Sequence, residues 1–294
     1  MNIIEVPLPE VATADALLAD AVATINLDAY FERIGYSGAR TPTLDTLTAI
    51  QFLHPQVIPF ENVNPLLRLP VRLDLASLQE KLVYNGRGGY CFEQNTLLSH
   101  VLRALGFSVK GLAARVVWNV PEGEVKPRTH MLLLVDVAGE PYIADVGFGG
   151  MTLTAPLRLE PNVEQPTPHE PFRLFLENDE YVLQANVRDE WKSVYRFSLQ
   201  EQLLPDYEMA SWYLCSHPDS HFLKGIIAAR TMPDRRYALR GNELAVHAVG
   251  GETERTVIAD ADTLRQTLTD TFRIKLPDDP KLDAILQQTV QPTM

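Results

Sequence analysis

Cys91, His130 and Asp145 are residue types that together perform nucleophilic acyl transfer, and the sequence around each favours that use. A thiol attacks only as its thiolate, and an unassisted thiol of pKa near 8.5 is only about 3% ionised at pH 7. Cys91 sits in Arg87-Gly88-Gly89-Tyr90-Cys91-Phe92-Glu93-Gln94-Asn95, where two glycines run into the cysteine and the cysteine into a helical pattern. Leu98, Val101, Leu102 and Leu105 lie at i, i+3, i+4 and i+7, one apolar helix face, and Gly106 can end that helix. Cys91 is therefore expected in the first turn or just before it. Unpaired N–H groups and about half a positive charge there favour an anion. The glycines allow a sharp bend, and their N–H groups, with that of Cys91, are candidates for holding a developing oxyanion.

Most single cysteines are small buried hydrophobes, so a nucleophile needs partners. His130 opens the apolar run Met131-Leu132-Leu133-Leu134-Val135, which reads as a strand buried on both faces. Ala138-Gly139-Glu140-Pro141 signals a turn, and Tyr142-Ile143-Ala144-Asp145-Val146 reads as the returning strand. A hairpin folded about Ala138 and Gly139 pairs Asp145 near Leu132, a diagonal neighbour of His130. Singly, His130 reads as a strand-end histidine facing water and Asp145 as a turn cap. Together with Cys91 they form a set in which the carboxylate orients the imidazole, the imidazole takes the thiol proton and the thiolate attacks.

The segment from Arg87 to Glu93 resembles the active-site cysteine motif of the arylamine N-acetyltransferases. Ile58-Pro59-Phe60-Glu61-Asn62 resembles that family's upstream motif. The segments Thr129 to Val135 and Asp145 to Gly149 resemble its histidine and aspartate segments. The resemblance runs from about Leu27 to the C-terminus and is strongest between Pro59 and Gly150. It implies acetyl transfer from acetyl-coenzyme A to an aromatic amine, hydrazine or N-hydroxylamine, with no metal. By position it implies an acceptor pocket at Phe60, Val116 and Phe148. It further implies coenzyme contacts at Lys126, Arg128, Thr129, Gly149 and Gly150, and a Glu61–Arg87 pair bracing the cysteine loop. Pro127 and Arg128 occupy the stretch before Thr129. Competing readings are a cysteine hydrolase or transglutaminase-like enzyme with the same triad, a related amide synthase that works without coenzyme A, and a non-catalytic binding module.

The rest of the chain must position these groups. Residues 1 to about 25 are alanine-rich and are assigned no function. Leu27, Tyr30, Phe31 and Ile34 have helical spacing, Thr43 can cap a helix carrying Leu44, Leu47 and Leu53, and Leu75, Leu78 and Leu82 form a further stripe ending at Gly86. Phe60-Glu61-Asn62 reads as a loop. Residues 1–107, leader included, thus read as a helical domain closing on the nucleophile helix. Between 108 and 204, short strands with turns about every ten residues indicate an antiparallel barrel or sandwich carrying His130 and Asp145. Residues 205–229 read as a connecting helical segment, with Met209, Trp212 and Tyr213 as packing residues. Residues 230–294 read as an α/β lid whose hairpins turn at Gly241-Asn242 and Gly250-Gly251. The resemblance makes this an α+β protein: an N-terminal helical bundle, a central antiparallel β-barrel and a C-terminal α/β lid around a cysteine-protease-like core.

The chain has 294 residues, 46% apolar and 22% charged, with a net charge of −12. These values fit a globular protein and argue against nucleic acid or an anionic membrane as partner. They leave room for an anionic coenzyme, because screening confines repulsion to about 8 Å at physiological salt. Arg230, Arg235, Arg236 and Arg240 read mostly as solvated surface charge. No basic region followed by an apolar core opens the sequence, and no apolar run nears the roughly 20 residues of a spanning helix. A cytoplasmic protein with Cys91 and Cys215 as reduced thiols is expected.

Overall fold

The computed structural model describes residues 24–121 and 123–291. The alanine-rich leader lies, up to residue 23, outside the described residues. Helix α1 (Leu27–Ile34) starts where the Asn26 side chain accepts from the Ala29 N–H, and buries Tyr30, Phe31 and Ile34. Helix α2 (Leu44–Val57) is capped by Thr43. A two-residue strand, β1 (Phe60–Glu61), precedes α3 (Val63–Leu67) and α4 (Leu75–Leu78), and α4 continues into a wide π turn, Gln79–Tyr84. Helix α5 (Cys91–Ala104) follows with Cys91 as its first residue. Leu98, Val101 and Leu102 are fully buried, as their spacing requires.

The next strands are β2 (Ser108–Val116), β3 (Arg128–Val137), β4 (Glu140–Ala144), β5 (Leu157–Arg158), β6 (Glu164–Gln165), β7 (Phe172–Glu177), β8 (Glu180–Val187) and β9 (Glu190–Phe197). They form one antiparallel sheet in the order β5-β4-β3-β2-β9-β8-β7-β6, curled into a nearly closed barrel. The β3–β4 hairpin turns at Ala138 and Gly139, both with positive φ, the geometry whose twist matches a two-residue hairpin. Strand β3 is covered on both sides. Met131, Leu133 and Val135 join the helical core, while Leu132 packs with Leu112, Ile143, Phe172 and Phe197 inside the barrel. That double burial is why the run is apolar throughout.

Helix α6 (Leu204–Ser216) leads to β10 (Ile227–Met232), β11 (Arg235–Arg240), β12 (Glu243–Ala248) and β13 (Thr253–Val257), then to α7 (Ala261–Gln266) and α8 (Pro280–Val290). Strand β10 runs across residue 229, the expected end of the connecting segment. The fold is α+β, with helices before the barrel and a second sheet, β1-β10-β11-β12-β13, after it.

Several expectations need correction. Phe60 and Glu61 are not a loop: they pair with Ala229 and Ala228 and form the edge strand of the C-terminal sheet. A two-residue strand carries no periodicity that sequence can reveal. Met209 and Trp212 are 74% and 67% exposed, whereas Tyr207, Ser211 and Leu214 face inward. Hydrogen bonds fix that rotation of α6: the Tyr207 hydroxyl donates to the Leu112 carbonyl, and the Ser211 and Tyr90 hydroxyls meet at 2.6 Å. Arg230 and Arg236 are buried rather than solvated. Arg230 donates to the carbonyls of Gln56 and Thr271, and Arg236 forks onto Glu170 and donates to the Thr152 carbonyl.

Candidate active site

The turn before α5 is shaped by close backbone approach. A Cβ on Gly88 would lie 2.1 Å from the Pro59 carbonyl oxygen, so only glycine fits there. The Gly89 N–H donates to the Pro59 carbonyl and the Glu61 N–H to the Gly89 carbonyl. Gly89 is therefore not free to bind an oxyanion, contrary to the expectation from its type. The Tyr90 N–H is also engaged, by the Glu93 carboxylate at 3.2 Å.

The Glu61 and Arg87 side chains meet beneath this turn. Arg87 donates to Glu61 Oε1 from Nε at 3.0 Å and from Nη2 at 2.7 Å, and the Val63 N–H donates to Oε2 at 2.7 Å. Burial alone would raise the Glu61 pKa, but the charges of Arg87 and Lys81 and these hydrogen bonds outweigh it and hold the carboxyl below its ordinary value.

Cys91 is 4% exposed, with Sγ 3.6 Å from the Thr129 carbonyl oxygen. The next residue, His130, turns inward from β3 opposite Ala114. Its Nε2 lies 2.7 Å from Asp145 Oδ2, which leaves Nδ1 for the sulfur. Burial opposes a charged ring, yet the charge and hydrogen bond of Asp145, reinforced by Cys91, push the His130 pKa up to about 10. Asp145 is buried completely, and its other oxygen accepts from Asn95 Nδ2 and from the Gly147 N–H, both at 2.9 Å. Despite desolvation, its pKa is held down by the imidazolium and these donors. A Cβ on Gly147 would stand 2.7 Å from the Cys91 Cα, so the turn after β4 presses on the Cys91 backbone.

Asn95 escapes a search by residue type, because an asparagine inside a helix suggests no chemistry. It lies one turn after Cys91 on the same face, and that i, i+4 relation was the available signal. It joins α5 to β3 and to the turn after β4: it donates to Asp145 and to the Met131 carbonyl, and accepts from the Val146 N–H. Tyr195, from β9, was also invisible. Its buried ring lies 4.9 Å from His130 and 5.5 Å from Phe148.

A cleft of about 460 Å³ opens beside the triad, between the barrel and the second sheet. Phe60, Phe148, Gly149 and Gly150 line it. Phe148 meets the His130 ring edge-on at 5.1 Å, so the apolar end of the cleft touches the triad. Val116, Lys126, Arg128 and Thr129 are not among its lining residues. Val116 is half-buried opposite Tyr195 at the end of β2 and does not line the cleft. Lys126 pairs with Glu124, Arg128 lies 3.6 Å from Glu180, and Thr129 offers the sulfur its carbonyl. Among the described residues no cluster of His, Cys, Asp or Glu has the makings of a metal site.

A cysteine at a helix start, a histidine on a barrel strand and a buried carboxylate behind it are the arrangement found in cysteine-dependent acyl-transfer enzymes with a protease-like core. Comparison with known proteins narrows the class. A family model described as N-acetyltransferase matches residues 43–280. The arylamine N-acetyltransferase of Mycobacterium tuberculosis is 48% identical over 258 residues, covering 86% of this chain and 91% of that protein. The Escherichia coli enzyme of the same name is 43% identical over 253 residues, covering 86% and 90%. The Mycobacterium marinum enzyme solved in complex with CoA superposes with a TM-score of 0.86 at 44% identity, covering 90% of this chain and 99% of that one. The chain belongs to the arylamine N-acetyltransferase family and is an acyltransferase.

Proposed function

We propose that this enzyme moves an acetyl group from acetyl-coenzyme A to aryl amines, aryl hydrazines or N-hydroxyarylamines in two half-reactions. In the first, the Cys91 proton already rests on His130, the thiolate attacks the thioester carbonyl, and the proton passes from His130 to the departing coenzyme A thiolate. In the second, the amine attacks acetyl-Cys91, His130 accepts the amine proton, and the cysteine sulfur leaves. Exchange of one thioester for another is close to energy-neutral, so the intermediate stays reactive.

One observation carries the reading. His130 is held by Asp145 at 2.7 Å, with its ring against both the head of α5 and the aromatic end of the cleft. The cleft also supports the choice of acceptor. Aryl amines are neutral near pH 7 and fit an apolar pocket, while alkyl amines, like lysine at pKa near 10.4, arrive protonated. Phe60 and Phe148 are the pocket walls in this reading, and Gly149 and Gly150 leave room for the thioester arm.

Intact mass spectrometry after addition of acetyl-coenzyme A tests it. The parent should gain a single acetyl group, Cys91→Ala none, and an aryl amine should discharge the mark. An unmarked parent overturns the reading. A mark lost to water as fast as to amine would make the enzyme a hydrolase instead.

A further inference from the structure

Arg236 is among the largest side chains that the fold buries, and the proposed chemistry gives it no role. It stands on β11 in the second sheet and reaches across to the barrel. Its Nε donates to Glu170 Oε1 at 3.1 Å and its Nη2 to Oε2 at 2.7 Å. Burial alone would raise the Glu170 pKa, but the Arg236 charge and hydrogen bonds hold it below its ordinary value, so the pair is ionised. The remaining arm, Nη1, donates to the Thr152 carbonyl at 2.9 Å. Thr152 in turn closes the turn that follows β4. Its hydroxyl donates to the Asp145 carbonyl at 3.2 Å and accepts from the Phe148 N–H at 3.4 Å, and its N–H donates to the Gly149 carbonyl at 3.1 Å. An unbroken series of bonds thus runs from the second sheet to the residue that holds His130 and to the aromatic ring beside it. Well-packed apolar side chains would brace the two sheets as firmly, without the cost of desolvating two charges. What they cannot do is hold one carbonyl in a fixed place, which a planar guanidinium with Nε, Nη1 and Nη2 all engaged can do.

We propose that Arg236 is a positioning residue for acetyl transfer: through Thr152 it sets the turn that carries Asp145 and Phe148, and so the grip of the carboxylate on His130. It does this from the second sheet, without bonding to any member of the triad. Glu170 anchors the guanidinium. The neighbouring His169 ties Glu170 to the same sheet, its Nε2 donating to the Met232 carbonyl at 2.8 Å. Asp145 acts on His130 at 2.7 Å, where a displacement of about 0.5 Å weakens both the hydrogen bond and the attraction of charge. The inference rests on the acetyl-transfer reading for what Asp145 and Phe148 do.

The test compares the parent with Arg236→Gln, which removes the guanidinium, with Thr152→Val, which removes only the hydroxyl, and with the double variant. Arg230→Gln is the control, because Arg230 is buried in the adjacent strand but donates to the carbonyls of Gln56 and Thr271 rather than to the turn. In protein carrying isotope-labelled histidine, NMR follows the titration of the His130 ring. The titratable groups that face this ring, Cys91, Asp145 and Tyr195, are the same in every variant. Arg236→Gln and Thr152→Val should each lower the His130 midpoint by about 0.5–1 pH unit and slow Cys91 acetylation about tenfold. Loss of a cation acting only through its charge would move the midpoint up instead. The double variant should shift no further than Arg236→Gln alone, because both residues act through one series of bonds. Arg230→Gln should lower the unfolding temperature and leave the midpoint in place. A midpoint that Arg236→Gln leaves unmoved or raises, an equal shift in Arg230→Gln, or additive shifts in the double variant overturns the proposal. Should Arg236→Gln fail to fold, Thr152→Val decides alone, and an unmoved midpoint there refutes it. Should the parent form no acetyl-Cys91, the transferase reading fails by itself, and the His130 titration still judges the positioning.

Discussion

Asp145→Asn should leave the fold standing and disable the nucleophile. The hydrogen bonds from Asn95 and Gly147 share one carboxylate oxygen of Asp145, and the amide oxygen of asparagine can take both over. The amide NH₂ then faces His130 Nε2, where Asp145 Oδ2 stood at 2.7 Å. Two donors cannot share a hydrogen bond, so the imidazole must present Nε2 as acceptor and carry its proton on Nδ1. That nitrogen no longer accepts a proton from the sulfur. Against the burial that lowers it, Asp145 and Cys91 lift the His130 pKa from 6.5 to about 10, a net stabilisation of the imidazolium on the order of 5 kcal/mol. Losing most of it predicts a fall of about 10³- to 10⁴-fold in the rate of Cys91 acetylation. Rapid-quench mass spectrometry of the first turnover between pH 6 and 9 measures that rate, and thermal unfolding checks the fold. The deficit should narrow toward pH 9, where solvent itself ionises thiols. A folded Asp145→Asn protein that acetylates within tenfold of the parent at pH 7 would refute the relay.

Other substitutions probe the supports. Gly147→Ala places a methyl 2.7 Å from the Cys91 Cα, backbone that cannot swing aside, so acetylation should fall at least tenfold by the same assay while the protein still folds. Glu61→Gln leaves the buried Arg87 cation without its counter-charge and should cost about 3–5 kcal/mol in urea unfolding at pH 7. Because the folded-state pKa of Glu61 is depressed, that contribution is present above the unfolded value of 4.5 and fades as pH falls through the folded one. The cost of Glu61→Gln should therefore shrink in acid. His54 is buried and neutral, its pKa lowered by burial to about 3. The unfolded chain takes up this proton below pH 6.5 and the folded chain does not until about pH 3, so stability drains between the two. Between pH 6.5 and 4 the parent should lose on the order of 3 kcal/mol more than His54→Gln does. Parallel pH–stability curves for the two would contradict this.

The amino-acid sequence by itself determined the local partners of the chemistry. Helix α5 was legible because its apolar face repeats at helical spacing and two glycines precede its start. The His130–Asp145 pair was legible because a single two-residue turn sets the register between them, and that turn lies wholly within the segment. What spans long sequence distances was not legible. The rotation of α6, which turns Met209 and Trp212 to solvent, is set by hydrogen bonds from Ser211 to Tyr90 and from Tyr207 to Leu112, more than ninety residues away. The burial of Arg230 and Arg236 depends on carbonyls and a carboxylate from other elements, which no charge pattern announces. The meeting of Cys91 with His130, the place of Asn95 behind Asp145 and the cleft shared by β1, the barrel and the second sheet likewise exist only after packing. Spacing along a chain fixes which side chains share a helix face or hairpin, because the backbone geometry is rigid over that range. Which faces meet is decided by the sum of many weak contacts across the core, and only the folded molecule carries out that sum.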